Sequence, residues 1–389
     1  MKRSDLGCVW LALLGSACAA APAPPQVVPA SGLAQPPVVR PALALSEPPR
    51  APEAPPKAPE EEALPAPLPA VMPLSGGSSS ALDRALVAGD RALDAGDLVV
   101  AQRSYESARQ LGQTAAAPLV GLARVRINKT DLPLDYAAGK NNPDILAARA
   151  MLKRAVTLDA AFAPAQLELG RVFLLLGDAP GAMESLHRAV TLAPHEAEAH
   201  SVLGLALLAT GHPADALVEL RAAADLDKGS APRHGNLGTA SLMAGEVDGA
   251  IHEYELEVRI ARDDARAHSD LGTALLARGD GDLTRAIAEL RRAIELDPAR
   301  ATFHSNLGYA LQLRGSIAEA VVEYRTAIAK DPHLASAWIN LATALAKNPA
   351  TRGDAKSALG EARKIDPTDP RVKANEEELD ALEHGKTAP

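Results

Sequence analysis

A Leu-Gly pair returns along the chain at Leu169 and Gly170, Leu203 and Gly204, Leu237 and Gly238, Leu271 and Gly272, and Leu307 and Gly308, with the glycines 34, 34, 34 and 36 residues apart. Seven positions after each stands a second glycine, at Gly177, Gly211, Gly245, Gly279 and Gly315. Beyond it, small and apolar residues recur three and four apart, as Ala320, Tyr324 and Ala327 do, which is the spacing of a helix with one buried stripe. The pattern predicts a helix, a turn and a second helix in every unit. Gly308 removes a Cβ where the second helix crosses the first, and Gly315 ends the first helix in a left-handed cap. Pro194, Pro298, Pro332 and Pro367 stop the second helix. A chain that repeats at this period is a solenoid.

Eight units share the register between residues 81 and 369. The first carries Gly89, Gly96, Ala101, Tyr105 and Ala108, and the second starts near Ala116 with Gly121 but resumes only at Ala148, Leu152 and Ala155. The interruption, 128–144, reads NKTDLPLDYAAGKNNPD and has the composition of a surface loop, a candidate contact site. Later units begin near Ala163, Ala197, Ala231, Ala265, Ala301 and Ala335, and two extra residues are expected around Asp280 to Leu283. The eighth has Ala342 in place of the crossing glycine, and Pro349 shortens its first helix. A last segment within 370–389 places Val372, Leu379 and Leu382 on one side, as a capping helix would. These positions resemble the tetratricopeptide repeat. The resemblance implies an all-α, right-handed superhelical solenoid of helix-turn-helix repeats with a C-terminal capping helix.

Upstream the pattern is lost. Residues 1–20 combine Lys2 and Arg3, an apolar run from Leu6 to Leu14 and small residues around Cys18, the layout of an export signal; the run is far shorter than the roughly 20 residues of a membrane span. LLGSAC resembles a bacterial lipobox, with Gly15 where an aliphatic residue is usual, and this marks Cys18 as a lipidation site; cleavage after Ala19 or Ala20 is the alternative, giving a soluble periplasmic or secreted chain. Ala19 follows Cys18 where an Asp would retain a lipoprotein at the inner membrane, which points to the outer membrane. Residues 21–80 hold 17 of the 31 prolines and are expected to be a disordered linker or tether.

Composition narrows the chemistry. A formal net charge of −9 argues against nucleic acid as a partner, and with 3% aromatic residues the core must rest on Leu, Val and Ala. No P-loop, nucleophile elbow or HExxH motif is found, so no catalytic residue, cofactor or metal is expected. His200, His234, His268 and His304 stand at one position of four successive units, with Trp338 there in the eighth. At one per repeat they are too far apart to share a zinc ion. Packing is one reading of this column; a metal or pH-sensing role is the other.

Two residues further on, Asn236, Asp270, Asn306 and Asn340 form a second column on the first helix, the face that lines the inner groove in tetratricopeptide arrays. Amides both donate and accept, so such a ladder can hold an extended peptide by its backbone. The column resembles the asparagine ladder in the repeats of O-linked N-acetylglucosamine transferases. Glu168 and Val202 depart from it in earlier units, and Thr239, Thr273, Tyr309, Thr343, Ser269 and Ser305 complete a polar groove. Solvated polar residues on a concave surface are the alternative reading. The resulting expectation is a non-catalytic protein-interaction scaffold, anchored through a lipid in the bacterial envelope, that docks partner proteins in the groove. Tetratricopeptide lipoproteins of pilus or secretin assembly and gliding motility offer the analogy. A ligand or cell-wall glycan binding protein and an accessory subunit of an enzyme complex remain the other classes.

Overall fold

A computed structural model describes residues 71–130, 132 and 136–383. The export signal expected over residues 1–20 with Cys18, the Pro-rich stretch as far as residue 70, and residues 384–389 lie outside the described residues. Among the described residues all regular structure is helical.

The helices pair as the period requires: α1 (Ala81–Asp94) with α2 (Leu98–Leu111), α3 (Ala117–Lys129) with α4 (Pro143–Leu158), α5 (Ala163–Leu176) with α6 (Ala179–Leu192), and α7 (Ala197–Ala209) with α8 (Pro213–Leu226). Then follow α9 (Ala231–Met243) with α10 (Val247–Ile260), α11 (Ala265–Arg278) with α12 (Leu283–Leu296), α13 (Ala301–Leu313) with α14 (Ile317–Lys330), α15 (Ala335–Ala346) with α16 (Arg352–Ile365), and a final α17 (Pro370–Glu383). Each second helix also packs on the next first helix, which makes the array a solenoid. Consecutive first helices, from α1 and α3 through α15 and α17, touch one another as well, and no comparable packing joins successive second helices. The array therefore curves with the first helices inside. Burial follows: α5 buries twelve of its fourteen residues, whereas α14 buries only Ala320, Tyr324 and Ala327.

Both glycine positions serve as the pattern predicts. A Cβ on Gly308 would lie 2.7 Å from Tyr324 Cε1, so the tyrosine of the second helix fills the space the glycine leaves. Gly315, at φ 87°, lets the chain turn from α13 into α14. The two extra residues of the sixth unit are taken up in a three-residue 3-10 turn, Asp280–Asp282, after Gly279.

Three boundaries differ from the sequence expectation. The linker expected through residue 80 is packed structure from 71 onward: Met72 and Leu74 are buried, Asp90 accepts from the Leu74 amide at 3.1 Å, and Ser80 caps α1 by accepting from the Asp83 amide. Two apolar side chains that fit the open end of α1 and α3 outweigh the Pro-rich composition around them. The insertion is narrower than 128–144, because residues 128–129 belong to α3 and 143–144 to α4. What is described of it clasps the end of α5: the Ala137 and Gly139 amides donate to the Leu174 and Leu175 carbonyls at 2.9 and 2.8 Å, and the Tyr136 hydroxyl to the Gly177 carbonyl at 2.7 Å. On α17, Val372 and Leu379 are buried as a cap requires, but Leu382 is exposed.

Candidate interaction groove

The inner face is built from first helices, and its two halves differ in chemistry. In the N-terminal half, acids and bases alternate and pair with one another, which leaves Arg124 Nη2 and Arg171 Nε buried without a hydrogen-bond partner. Tyr105 donates to Asp90 at 2.7 Å; Arg124 donates to Glu168 at 2.7 Å and to the Met72 carbonyl at 3.0 Å. Arg171 joins Glu168 to Glu198, and Arg233 ties Glu198 at 3.1 Å to Asp227 at 2.8 Å. Arg124, Glu168 and Arg233 are buried. Burial alone would raise the Glu168 carboxyl, but the charges of Arg171 and Arg124 and their hydrogen bonds hold it below its ordinary range. Sequence reasoning noted Glu168 only as a departure from the Asn column; it is a rung of a charge ladder linking α3, α5, α7 and α9.

The C-terminal half keeps polar groups unspent. Asn306 makes only two long contacts, at 3.4 Å, to the Ser269 and Thr273 hydroxyls. Among the described residues no side-chain hydrogen bond engages Asn236 or Asn340. Tyr309 is 44% exposed and can meet a ligand, whereas Thr273, half-buried, already donates its hydroxyl to the Ser269 carbonyl at 2.8 Å. Other members of the expected set are placed differently. Asn236 and Asp270 retain only 7% of their surface, and Ser269 and Ser305 are buried too, because adjacent first helices close over them. Thr239 spends its hydroxyl on the Gly235 carbonyl and the Tyr254 hydroxyl, each at 3.0 Å. Thr343 donates to Asn375 of the capping helix at 2.8 Å, so the cap covers part of this end. Solvent therefore reaches the column chiefly at Asn306, Asn340, Thr273 and Tyr309.

Asp270 is distinctive within the column. Burial pushes its carboxyl up to about 7, against the pull of Arg266, whose Nε stands 3.6 Å away. Glu257 on α10 is buried, has an oxygen without a partner, and is likewise driven upward by burial and by Asp270. This pair makes the middle of the array prefer a neutral, protonated interior.

The histidine column is a hydrogen-bonded device. Nδ1 of His200, His234, His268 and His304 lies 2.7 Å from Glu219, Glu253, Glu289 and Glu323 of the second helix. Nε2 reaches the carbonyl six residues earlier, at 3.0 Å in the first three and 3.3 Å in His304. A carboxylate and a carbonyl only accept, so the doubly protonated ring alone satisfies both contacts. Trp338 makes the same carbonyl contact, Nε1 to Pro332 at 3.0 Å. Among the described residues no cluster of ligands could hold a metal ion.

Comparison with known proteins agrees with this geometry. A tetratricopeptide repeat model matches residues 142–197, 177–231 and 201–267, and a second TPR repeat model matches 280–315. The chain is a tetratricopeptide repeat protein. Tetratricopeptide arrays are in general non-catalytic scaffolds, and the coarse role that goes with the fold is protein-protein interaction. This tetratricopeptide protein is similar in fold to a chain of the APC/C hetero-tetramer Cut9-Hcn1, with TM-score 0.55 and 16% identity over 78% of its own length and 57% of that chain. It thus spans little more than half of that relative. It is also similar to Pseudomonas aeruginosa pilF, with TM-score 0.47, 19% identity, and 57% and 98% of the two chains covered. YrrB, described as a TPR protein with an unusual peptide-binding site, gives TM-score 0.38 and 21% identity over 50% and 100%. No curated protein matches the chain.

Proposed function

We propose that the protein is a non-catalytic scaffold that holds an extended segment of a partner protein along the inner face of units six to eight. The observation that carries this reading is the contrast between the halves. The N-terminal ladder has paired its carboxylates internally, whereas Asn306 makes only two long contacts through its amide nitrogen, Asn340 has no side-chain hydrogen bond among the described residues, and the Tyr309 ring on the same first helix as Asn306 is exposed. A polar groove with one aromatic platform suits backbone recognition of an extended chain. The test is affinity capture with the full-length protein and a variant carrying Asn306→Ala, Asn340→Ala and Tyr309→Ala. A defined partner retained by the first and lost by a folded variant supports the groove; equal capture by both removes it.

The same proposal places the scaffold in a bacterial envelope, anchored through Cys18 and facing the periplasm at the outer membrane, in an assembly of pilus, secretin or gliding-motility type. Its support is the sequence around LLGSAC with Lys2 and Arg3 ahead of an apolar run. Fractionation tests it: Cys18→Ser should move the protein from the membrane to the soluble fraction and abolish incorporation of labelled palmitate. A wild-type protein found soluble and unlabelled refutes the anchor.

A further inference from the structure

Between α10 and α12 the outer face of the array opens into a cleft of about 790 Å³, within the size range of small-ligand sites, roughly 300–1,000 Å³. Helical spacing builds its walls. His252, Glu255 and Arg259 stand three and four apart on α10, facing Arg285, Glu289 and Arg292 on α12, and Leu271 of α11 forms an apolar floor.

The wall charges are sorted along the cleft. At one end Arg285 meets Glu255 across the gap at 2.7 Å, and at the other Arg292 meets Asp263 at 3.5 Å. Glu289 is committed to His268 at 2.7 Å. Each wall carboxylate is thus already engaged. Arg259 lies between the two cross-cleft pairs on the α10 wall, and its Nε is buried without a hydrogen-bond partner. Four arginines line the cleft against three carboxylates, in a chain whose net charge is −9. The Nε is sheltered from the cleft, but the terminal nitrogens of the same guanidinium are accessible and no carboxylate among the described residues engages them, so they are the donors the cleft offers an oxyanion.

We infer that this cleft binds a small ligand through a carboxylate or phosphate group, with Arg259 as its principal donor. The site lies on the opposite side of the array from the peptide groove and does not depend on it.

The test is titration calorimetry on the full chain with inorganic phosphate and, separately, with citrate at low salt, so that the two arms tell a phosphate from a carboxylate ligand. At least one anion is expected to bind one to one. Arg259→Gln should weaken it by about tenfold or more, and Arg314→Gln, outside the cleft, should leave it unchanged. Glu255→Gln should tighten binding by releasing Arg285, a gain that loss of folding cannot produce. Absence of binding by both anions, equal binding by the Arg259→Gln variant, or weaker binding by the Glu255→Gln variant overturns the inference. Binding of an acidic peptide in the cleft without either small anion overturns the small-ligand assignment.

Discussion

His234 and Glu253 stand 19 residues apart and meet at 2.7 Å, while the other nitrogen of the same ring reaches the Lys228 carbonyl at 3.0 Å. The imidazolium thus ties a first helix both to its own second helix and to the turn before it. The same pair of contacts recurs at His200, His268 and His304, so in four successive units one ring bridges the two helices and the turn before them.

This arrangement predicts that stability falls as pH rises. Burial pulls the His234 ring downward, but its bonds to Glu253 and Lys228 win and hold it above the ordinary value; in His268 the bond to Glu289 dominates and raises it likewise. A raised folded-state value stabilises fully below the unfolded value of about 6.5 and is lost as pH climbs through the folded value. Asp270, raised to about 7 by burial, acts in the same direction, its contribution present below about 4 and lost on approach to 7. Calorimetric melts should show Tm declining between roughly pH 5 and pH 8. Asp270→Asn should raise Tm at pH 8 and flatten the slope; a Tm that climbs over this range contradicts the account.

Two helical glycines should respond oppositely to alanine. Helix propensity favours Ala by about 1 kcal/mol at either position. At Gly360 in α16 nothing lies within 4 Å of the added carbon, so Gly360→Ala should stabilise by about that amount. At Gly308 the carbon would strike Tyr324 at 2.7 Å, and overpacking costs about 1–3 kcal/mol, so Gly308→Ala should lower Tm. Urea melts of the two variants check the pair of signs.

The charge ladder should be costly to break on one side. Arg124→Met leaves Glu168 short of a partner and takes the donor from the Met72 carbonyl, a loss of about 3–5 kcal/mol for a buried pair. Arg221→Met, which breaks an exposed pair with Glu246, should cost under about 1 kcal/mol. The first variant should also become cleavable by protease between residues 72 and 80, and equal melting of both variants would contradict a structural role for the ladder.

The capping helix covers the last core layer through Val372 and Leu379. Leu379→Asp should expose the apolar faces of α15 and α16, lowering Tm by an amount comparable to a lost core leucine, about 2–5 kcal/mol. Light scattering should then show self-association, which Leu382→Asp, at an exposed position, should not cause.

How much of this was legible depended on periodicity. Leu307, Gly308 and Gly315 announced their unit because one backbone geometry demanded the same residue each time. The glutamate partners of the histidines were not read from the sequence, although a signal was there: Glu219, Glu253 and Glu323 each follow their histidine by 19 residues and Glu289 by 21, across the two extra residues. Arg124 and Glu168 were not legible, because they lie 44 residues apart and occupy different positions of their units. Met72 and Leu74 were hidden by the prolines around them. The burial of Asn236 and Asp270 was equally out of reach, since it depends on how closely successive first helices approach.

The most direct test of the groove is site-specific photocrosslinking in cells, with a photoreactive residue placed at position 309 on the inner face and, in a second strain, at position 322, where Val322 is 60% exposed on α14. The account predicts one defined protein crosslinked from 309 and not from 322. A partner captured only from 322, or none from 309 while the protein is folded and functional, would contradict it.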